Sequence, residues 1–248
     1  MLKCLNDWFS AIDNSRCVDV MYIDVAKAFD SVSHPKLMYK LEKYGVTGKF
    51  LNWISAFLSD RRQRVKVGEV KSEFAEVTSG VPQGSVLGPI LFLIYIKDLS
   101  LVLRDCSISI FADDSKIYFK ADYAECIERI QDDINRVAQW CNDWQLSVAV
   151  HKCSVLHIGR NNGNHEYSMH GNAVPSVASL TDLGITANLS FSPHISNICR
   201  SAFQRLNLIF RSFTTRDTDC LLKAYLSYVR PLLEYNTVVW SPFCTVEV

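Results

Sequence analysis

Two short apolar runs in this chain each end in carboxylates, and that arrangement limits what the chain can build. Residues 17–23 (CVDVMYI) run into Asp24, and residues 107–112 (SISIFA) run into Asp113 and Asp114. Short β-branched runs bounded by turn signals read as buried strands. A carboxylate at the end of such a strand is costly to desolvate without a partner. Helix capping, turn chemistry, or an ion pair with Lys27 or Lys116 would each satisfy one acid singly. If the two strands are neighbours, however, the three acids converge at one sheet edge as an all-oxygen site suited to hard divalent cations. Mg²⁺ keeps waters and substrate phosphates among its ligands. Two such ions about 4 Å apart activate a hydroxyl and stabilise the leaving oxygen of an in-line phosphoryl transfer.

The rest of the pattern alternates helix and strand. Leu2, Leu5, Trp8, Phe9 and Ile12 recur at helical spacing; Pro35 opens a helix through Tyr44, and Thr47 caps another carrying Ile54 and Leu58. Residues 62–77 alternate as paired strands around Gly68, and a turn at 80–84 leads into an apolar helix over 88–103. The spacing predicts a hairpin with Asp113 and Asp114 at its tip, then a helix over 121–144 whose acids read as a solvated face. Short strands fill 153–189. A helix from Ser192 follows, with Ile195, Cys199, Ala202, Leu206, Ile209 and Phe213 inward, and a second helix starts near Asp217. The change of character places a boundary near residue 190.

Composition narrows the class. The 248 residues carry 26 Lys+Arg against 26 Asp+Glu, and 48% are hydrophobic, so a folded core is expected rather than disorder. Zero net charge argues against an arm-type nucleic-acid binder, yet it sums unlike segments. Residues 61–71 and 199–230 are each +4, and 121–144 is −4. Nine cysteines without a C-x-x-C pair read as reduced thiols. The N-terminus lacks the uninterrupted apolar stretch of a signal peptide, and the most apolar run, Val86 to Ile96, is about half of what a bilayer needs. The expectation is an intracellular protein, cytoplasmic or nuclear, neither secreted nor embedded in a membrane.

The motifs, in order, resemble the palm of a reverse transcriptase of the LINE or jockey-like non-LTR retrotransposon kind. YIDVAKAFDSVSH (22–34), SGVPQGSVLGPILFLIYIKDL (79–99), FADD (111–114), WQLSVAVHKCSVLHIG (144–159), LTDLGITANLSFSPHI (180–195) and VRPLLEYNTVVWSP (229–242) carry the resemblance. It implies an α+β fold: a palm with an antiparallel sheet and helices on one face, then a helical thumb. The segments it implies are a palm over 1–152, a small β primer-grip-like region over 153–190 and an incomplete thumb over 191–248.

Carried over by position, the resemblance makes Asp24 and Asp113 the principal ligands of two Mg²⁺ ions, for which Mn²⁺ can substitute. Asp114 is the third acid, and the Val25 carbonyl completes one shell. Phe29 lies beneath the incoming sugar and excludes a 2′-hydroxyl. Gln83 packs against the templating base and incoming nucleotide, with Gly80 and Gly84 allowing close backbone approach. Lys152 protonates or neutralises departing pyrophosphate. Arg61, Arg62 and Arg64 in one basic segment, and Arg200 and Arg211 on one face of the thumb helix, would lie along template or duplex phosphates. The implied partners are an RNA template, a DNA primer and dNTPs; oligomeric state stays open. Ala149 stands where the family commonly has Asn. The family's fingers segment, which holds the triphosphate, is not found before residue 1. The chain therefore reads as a truncated polymerase, weak or inactive alone, with a non-enzymatic nucleic-acid-binding remnant as the alternative.

Overall fold

A computed structural model describes residues 1–121, 126–187, 191–215 and 217–241. Helix α1 (Leu2–Asp13) precedes strand β1 (Cys17–Ile23), then α2 (His34–Lys43) and α3 (Gly48–Leu58). Four two-residue strands follow: β2 (Arg62–Gln63), β3 (Lys66–Val67), β4 (Val70–Lys71) and β5 (Ala75–Glu76). Next come α4 (Leu87–Ile96), β6 (Ser107–Phe111), β7 (Asp114–Ala121), α5 (Cys126–Asp143) and β8 (Ser154–Ile158). Short strands β9 (Ser168–Met169), β10 (Asn172–Ala173), β11 (Ser176–Val177), β12 (Leu180–Asp182) and β13 (Ile185–Ala187) lead to α6 (Ser192–Ser212), α7 (Thr218–Tyr228), α8 (Arg230–Glu234) and α9 (Thr237–Trp240). The helix expected over 121–144 is described from Cys126 on; residues 122–125 lie outside the described residues. The apolar helix expected over 88–103 ends at Ile96, and the chain tightens into a 3₁₀ turn over Lys97–Leu101.

The chain divides into two compact units, residues 11–177 and residues 1–10 with 178–248. The segment 153–190 is thus shared: β8 completes the sheet of the first unit, whereas β12 and β13 pair in the second.

The first unit is built on a five-stranded sheet in the order β11-β8-β1-β7-β6. β1 is central and antiparallel to both neighbours, with Met21 opposite Ile117 on one side and Val155 on the other. That row of three packs into one core with Leu37 and Leu41 of α2, Ile54 of α3, Phe92 of α4 and Ile134 of α5. The helices therefore cover one face of the sheet, in the α+β class expected; the sheet is antiparallel as expected except at its edge, where β11 runs parallel to β8. Val20, with Tyr118 and Leu156 beside it, is buried on the opposite face. Burial on both faces is why β1 reads as a near-continuous apolar run rather than as an alternation.

Three polar groups, Asp133 and Lys40 buried and Asp19 nearly so, tie this unit together. Asp133 of α5 is fully buried, not solvated, and its carboxylate accepts the backbone N–H groups of Arg104, Asp105 and Cys106 at 2.8–3.2 Å and Nη1 of Arg136 at 2.5 Å. It caps the turn that launches β6. Burial alone would raise its pKa, but these four donors outweigh burial and hold the carboxyl below its ordinary value. Asp19 interrupts β1 and accepts Nδ1–H of His157, its cross-strand partner, at 2.7 Å, together with Asn162 Nδ2 at 2.7 Å and the Tyr167 hydroxyl at 2.5 Å. With Nδ1 donating, Nε2 of a neutral ring accepts from the Ser176 hydroxyl at 3.0 Å, extending the chain of bonds to β11. Lys40 of α2 is buried over the Trp144 ring, 3.6 Å from its centroid, and donates to the Tyr95 carbonyl and Asp98. Burial lowers its pKa against the opposing pull of Asp98.

In the second unit, α6, α7 and α8 share a small core of Ala202, Ile209, Ala224 and Val229. The Asp217 carboxylate caps α7 by accepting Cys220 N–H at 2.9 Å. The inward stripe of α6 is narrower than the spacing predicts. Ala202 and Ile209 are buried and Leu206 is half-buried, but Cys199 and Phe213 are exposed. Two short partner helices cover only one line of side chains. The buried positions are His194, Ala202 and Ile209, with Ile198 half-buried, and Cys199 lies one residue, about 100°, round the helix from that line.

Replacing Asp133 with Ala leaves the 104–106 amides and Arg136 without their acceptor, and should cost about 3 kcal/mol in denaturant unfolding at neutral pH. Because the folded pKa is lowered, this contribution is present above the unfolded carboxyl pKa and is lost as pH falls through the folded one. The gap between wild type and Asp133→Ala should narrow below roughly pH 4. A gap independent of pH would contradict the assignment.

Candidate active site

The acids are assembled by strand register. β1 and β7 pair from Cys17 opposite Ala121 to Ile23 opposite Ser115, so Asp24 leaves β1 at the end of the sheet where Asp114 opens β7. β6 and β7 close with Phe111 opposite Asp114, leaving Ala112 and Asp113 as the two-residue turn. The hairpin tip therefore holds Asp113 alone, and Asp114 opens the returning strand. Ala112 takes φ +53°, a left-handed conformation that a residue with a Cβ adopts at a cost. Asp113 and Asp114 are exposed, and the Asp24 side chain retains 42% of its surface.

The other flank of Asp24 is held by the segment before β8. Ala149 N–H donates to Asp24 O at 2.9 Å and Ala26 N–H donates to Ser147 O at 2.8 Å, which makes Val25 and Val148 a non-hydrogen-bonded antiparallel pair. In such a pair the N–H and C=O of Val25 point away from residues 147–149, toward the side of β1 on which β7 lies. The buried Cys153 thiol accepts Asp24 N–H at 3.4 Å. Burial raises the pKa of that thiol, the amide bond lowers it and the Asp24 charge raises it; the net direction is upward, so the thiol stays neutral. Lys152, in a 3₁₀ turn over Val150–Lys152, places Nζ 3.8 Å from Asp24 Oδ1.

The donor set of Asp24, Asp113, Asp114 and the Val25 carbonyl is all oxygen, open to solvent, and carried on adjoining strand ends. It fits a hard divalent cation that keeps water and phosphate ligands, and is unsuited to a soft metal. Among the described residues no three His, Cys, Asp or Glu side chains are gathered closely enough to hold a metal ion by themselves, so water and phosphate oxygens would have to supply most of the shell.

A second cluster joins the turn after β1 to the turn before α4. Phe29 is half-buried and stacks on Phe92, with ring centroids 4.4 Å apart. Its carbonyl accepts Val81 N–H at 2.9 Å, and the Val32 carbonyl accepts Gly80 N–H at 2.8 Å. Ser79 Oγ donates to Asp30 O at 2.8 Å, and exposed Gln83 donates through Nε2 to Asp30 Oδ1 at 2.9 Å. Gly80 has φ +83°, and a Cβ there would lie 2.7 Å from Asp30 Cα, so only glycine fits. Gly84 also has a positive φ, +79°, but a Cβ there would meet nothing within 4 Å. The close approach within the chain is made at Gly80 and not at Gly84. Between the turn and β2 lies a cleft of about 580 Å³ bordered by Asp30, Arg62, Gln63, Ser79 and Gln83.

The five arginines differ in their engagement. Arg62 is exposed, Arg64 is exposed with its guanidinium 4.5 Å from the Phe74 ring centroid, and Arg200 and Arg211 lie on the exposed side of α6. Arg61 is half-buried and committed: Nη2 donates to Gly80 O at 2.7 Å and Nε to Leu58 O at 3.1 Å. Sequence reasoning gave no role to His34, Asp30 or Ser79, which belong to this cluster. His34 and Asp30 lie inside the 22–34 motif, but their partners are 46 to 53 residues away, beyond the reach of periodicity.

Comparison with known proteins agrees with the motif resemblance. The chain is 27% identical over 253 residues to the RNA-directed DNA polymerase from mobile element jockey of Drosophila melanogaster, covering 96% of this chain and 28% of that protein. It is 27% identical over 249 residues to the probable RNA-directed DNA polymerase from transposon BS of the same species, covering 93% and 27%. The chain thus spans little more than a quarter of these relatives. In fold it is similar to telomerase from Candida tropicalis, solved with the TWJ fragment of telomeric RNA, at a TM-score of 0.52, 14% identity, and coverage of 96% of this chain and 42% of that one. Residues 6–187 match the profile "Reverse transcriptase (RNA-dependent DNA polymerase)", and the chain belongs to that family.

Proposed function

We propose that the chain is the palm and part of the thumb of an RNA-directed DNA polymerase of a non-LTR retrotransposon, adding deoxynucleotides to a DNA primer 3′-hydroxyl on an RNA template. The observation that carries this reading is the register of β1 with β7, which brings Asp24 out at the sheet end where Asp114 opens β7 and Asp113 lies in the adjoining turn. Asp24 and Asp113 would hold two Mg²⁺ ions, with Asp114 and the Val25 carbonyl completing the oxygen set and Mn²⁺ able to replace Mg²⁺. When bound, such ions lower the pKa of the attacking hydroxyl and neutralise charge on the phosphates.

The chain's own residues do the rest. Lys152, 3.8 Å from Asp24, is close enough to meet a departing pyrophosphate and supply charge or a proton. Phe29, fixed by its stack on Phe92 and its bond to Val81, lies under the sugar and leaves no space for a 2′-hydroxyl. Gln83 borders the cleft, with Gly84 next to it in the chain, where a base pair would rest. Arg62, Arg64, Arg200 and Arg211 are exposed and serve backbone phosphates. Within this reading residues 1–152 act as palm, 153–190 as the primer-grip region and 191–248 as thumb. The chain works inside the cell, in the cytoplasm or the nucleus. Among the described residues no helix is long and apolar enough to cross a membrane.

Primer extension on an RNA template with Mg²⁺ or Mn²⁺ tests the reading. Asp24→Asn and Asp113→Asn should each lower the rate by about a thousandfold, the scale of losing a principal electrostatic stabiliser, and metal chelation should abolish synthesis. Extension unaffected by either substitution would refute the site. Phe29→Val should admit ribonucleotides, raising their relative incorporation by about tenfold or more, on the scale by which a filled pocket rejects an added group. Unchanged selectivity would remove Phe29 from the sugar site.

A further inference from the structure

The Gly80 carbonyl receives two donors from side chains remote in sequence. His34 Nε2 lies 2.8 Å from Gly80 O and Arg61 Nη2 lies 2.7 Å from it, while the two nitrogens are 3.5 Å apart. A carbonyl oxygen can only accept, so His34 donates from Nε2 and the carbonyl is shared by two donors. Arg61 is anchored in turn by Nε to the end of α3 at Leu58 O, and His34 begins α2. The turn over 79–83 is therefore gripped from two helices. The same turn holds Gln83 through Asp30 and Phe29 through the Val81 amide. A carbonyl that must accept twice beside a glycine with no room for a Cβ fixes the turn in position and orientation.

We infer that Arg61 and His34 are positioning residues for nucleotide binding: they clamp the Gly80 carbonyl and thereby set the placement of Phe29 and Gln83. Arg61 is thus withdrawn from the phosphate-binding set that its neighbours Arg62 and Arg64 form. The guanidinium is suited to this because its fork serves Leu58 O and Gly80 O at once, which a lysine ammonium on one flexible stem does not. The inference rests on the polymerase reading for its kinetic consequence but not for the clamp itself.

The test uses the full 248-residue chain with Arg61→Ala, Arg61→Lys, His34→Ala and His34→Gln, with template–primer saturating. Loss of a charge-assisted bond that acts on substrate placement should raise the dNTP KM by about tenfold in Arg61→Ala, with kcat changed far less. It should also raise ribonucleotide incorporation, while primer–template affinity and its salt slope stay unchanged. His34→Ala should show the same direction more weakly, with His34→Gln restoring most of the loss through its amide donor and Arg61→Lys intermediate. A fall in primer–template affinity with a shallower salt slope would make Arg61 a phosphate contact and overturn the inference. So would a loss of kcat that tracks only the folded fraction. Hydrogen exchange separates failure of the clamp from failure of the polymerase reading. The Gly80 and Val81 amides should lose protection by about tenfold in Arg61→Ala, the scale of one lost bond, with amides elsewhere unaffected. Unchanged exchange would overturn the clamp whether or not the chain polymerises. A wild-type chain that extends no primer yet shows the exchange change would sink the polymerase reading and leave the clamp.

Discussion

The double antiparallel pairing of β1 is the constraint on which the rest of this structure depends. Because β1 is bonded to β7 along one edge and β8 along the other, its register decides three things together. It places the Val155–Met21–Ile117 row under the helices, brings Asp24 to the hairpin carrying Asp113 and Asp114, and aligns the segment that bears Lys152. A slip of one residue would turn Met21 and Ile23 out of the core. The hydrophobic effect thus enforces the geometry of a polar site. Acids that would repel one another are carried to the same end of the sheet by burial elsewhere on the same strand.

Around that strand the scaffold is fixed by polar groups that are buried or nearly so and satisfied. Asp133 caps the turn into β6 with four donors, Asp19 joins β1, β8 and the loop before β9, and Lys40 ties α2 to α4 beneath two tryptophans. Groups of this kind add little when whole and cost much when broken. They specify one arrangement of β6 and β8 relative to β1, and the acids are mounted on the ends of these elements. The left-handed Ala112 and the glycine-only approach at Gly80 are local costs located at the two places where the site is shaped.

Much of this was legible in the residues. CVDVMYI gave the bounds of β1, Pro35 and Thr47 marked the next two helices, and the ordered motifs pointed to the family and to the α+β class. What sequence could not supply was long-range pairing: nothing local says that His34 and Arg61 meet at Gly80, or that Lys152 lies beside Asp24 rather than Lys27. Other signals were present and went unread. Asp133 falls at helical spacing from Ile130 and Val137, on the inward side, so its burial was available from periodicity although its segment reads as a solvated acidic face. Asp19 within an apolar strand announced a buried partner in the same way. The α6 stripe is narrower than its spacing predicts because spacing gives a helix its apolar side but not how wide a surface its neighbours cover; two short helices leave Phe213 and Cys199 exposed.

Strand register brings Asp24, Val25 and the 112–114 turn to one end of the sheet, the place proposed for a divalent cation. Paramagnetic broadening of amide resonances on titration with Mn²⁺ tests it without requiring turnover. The account predicts saturable broadening centred on residues 24–25 and 112–114, lost in Asp113→Asn while the spectrum of the sheet is otherwise kept. Broadening centred instead on the acidic helix over 126–143, or undiminished in Asp113→Asn, would contradict it.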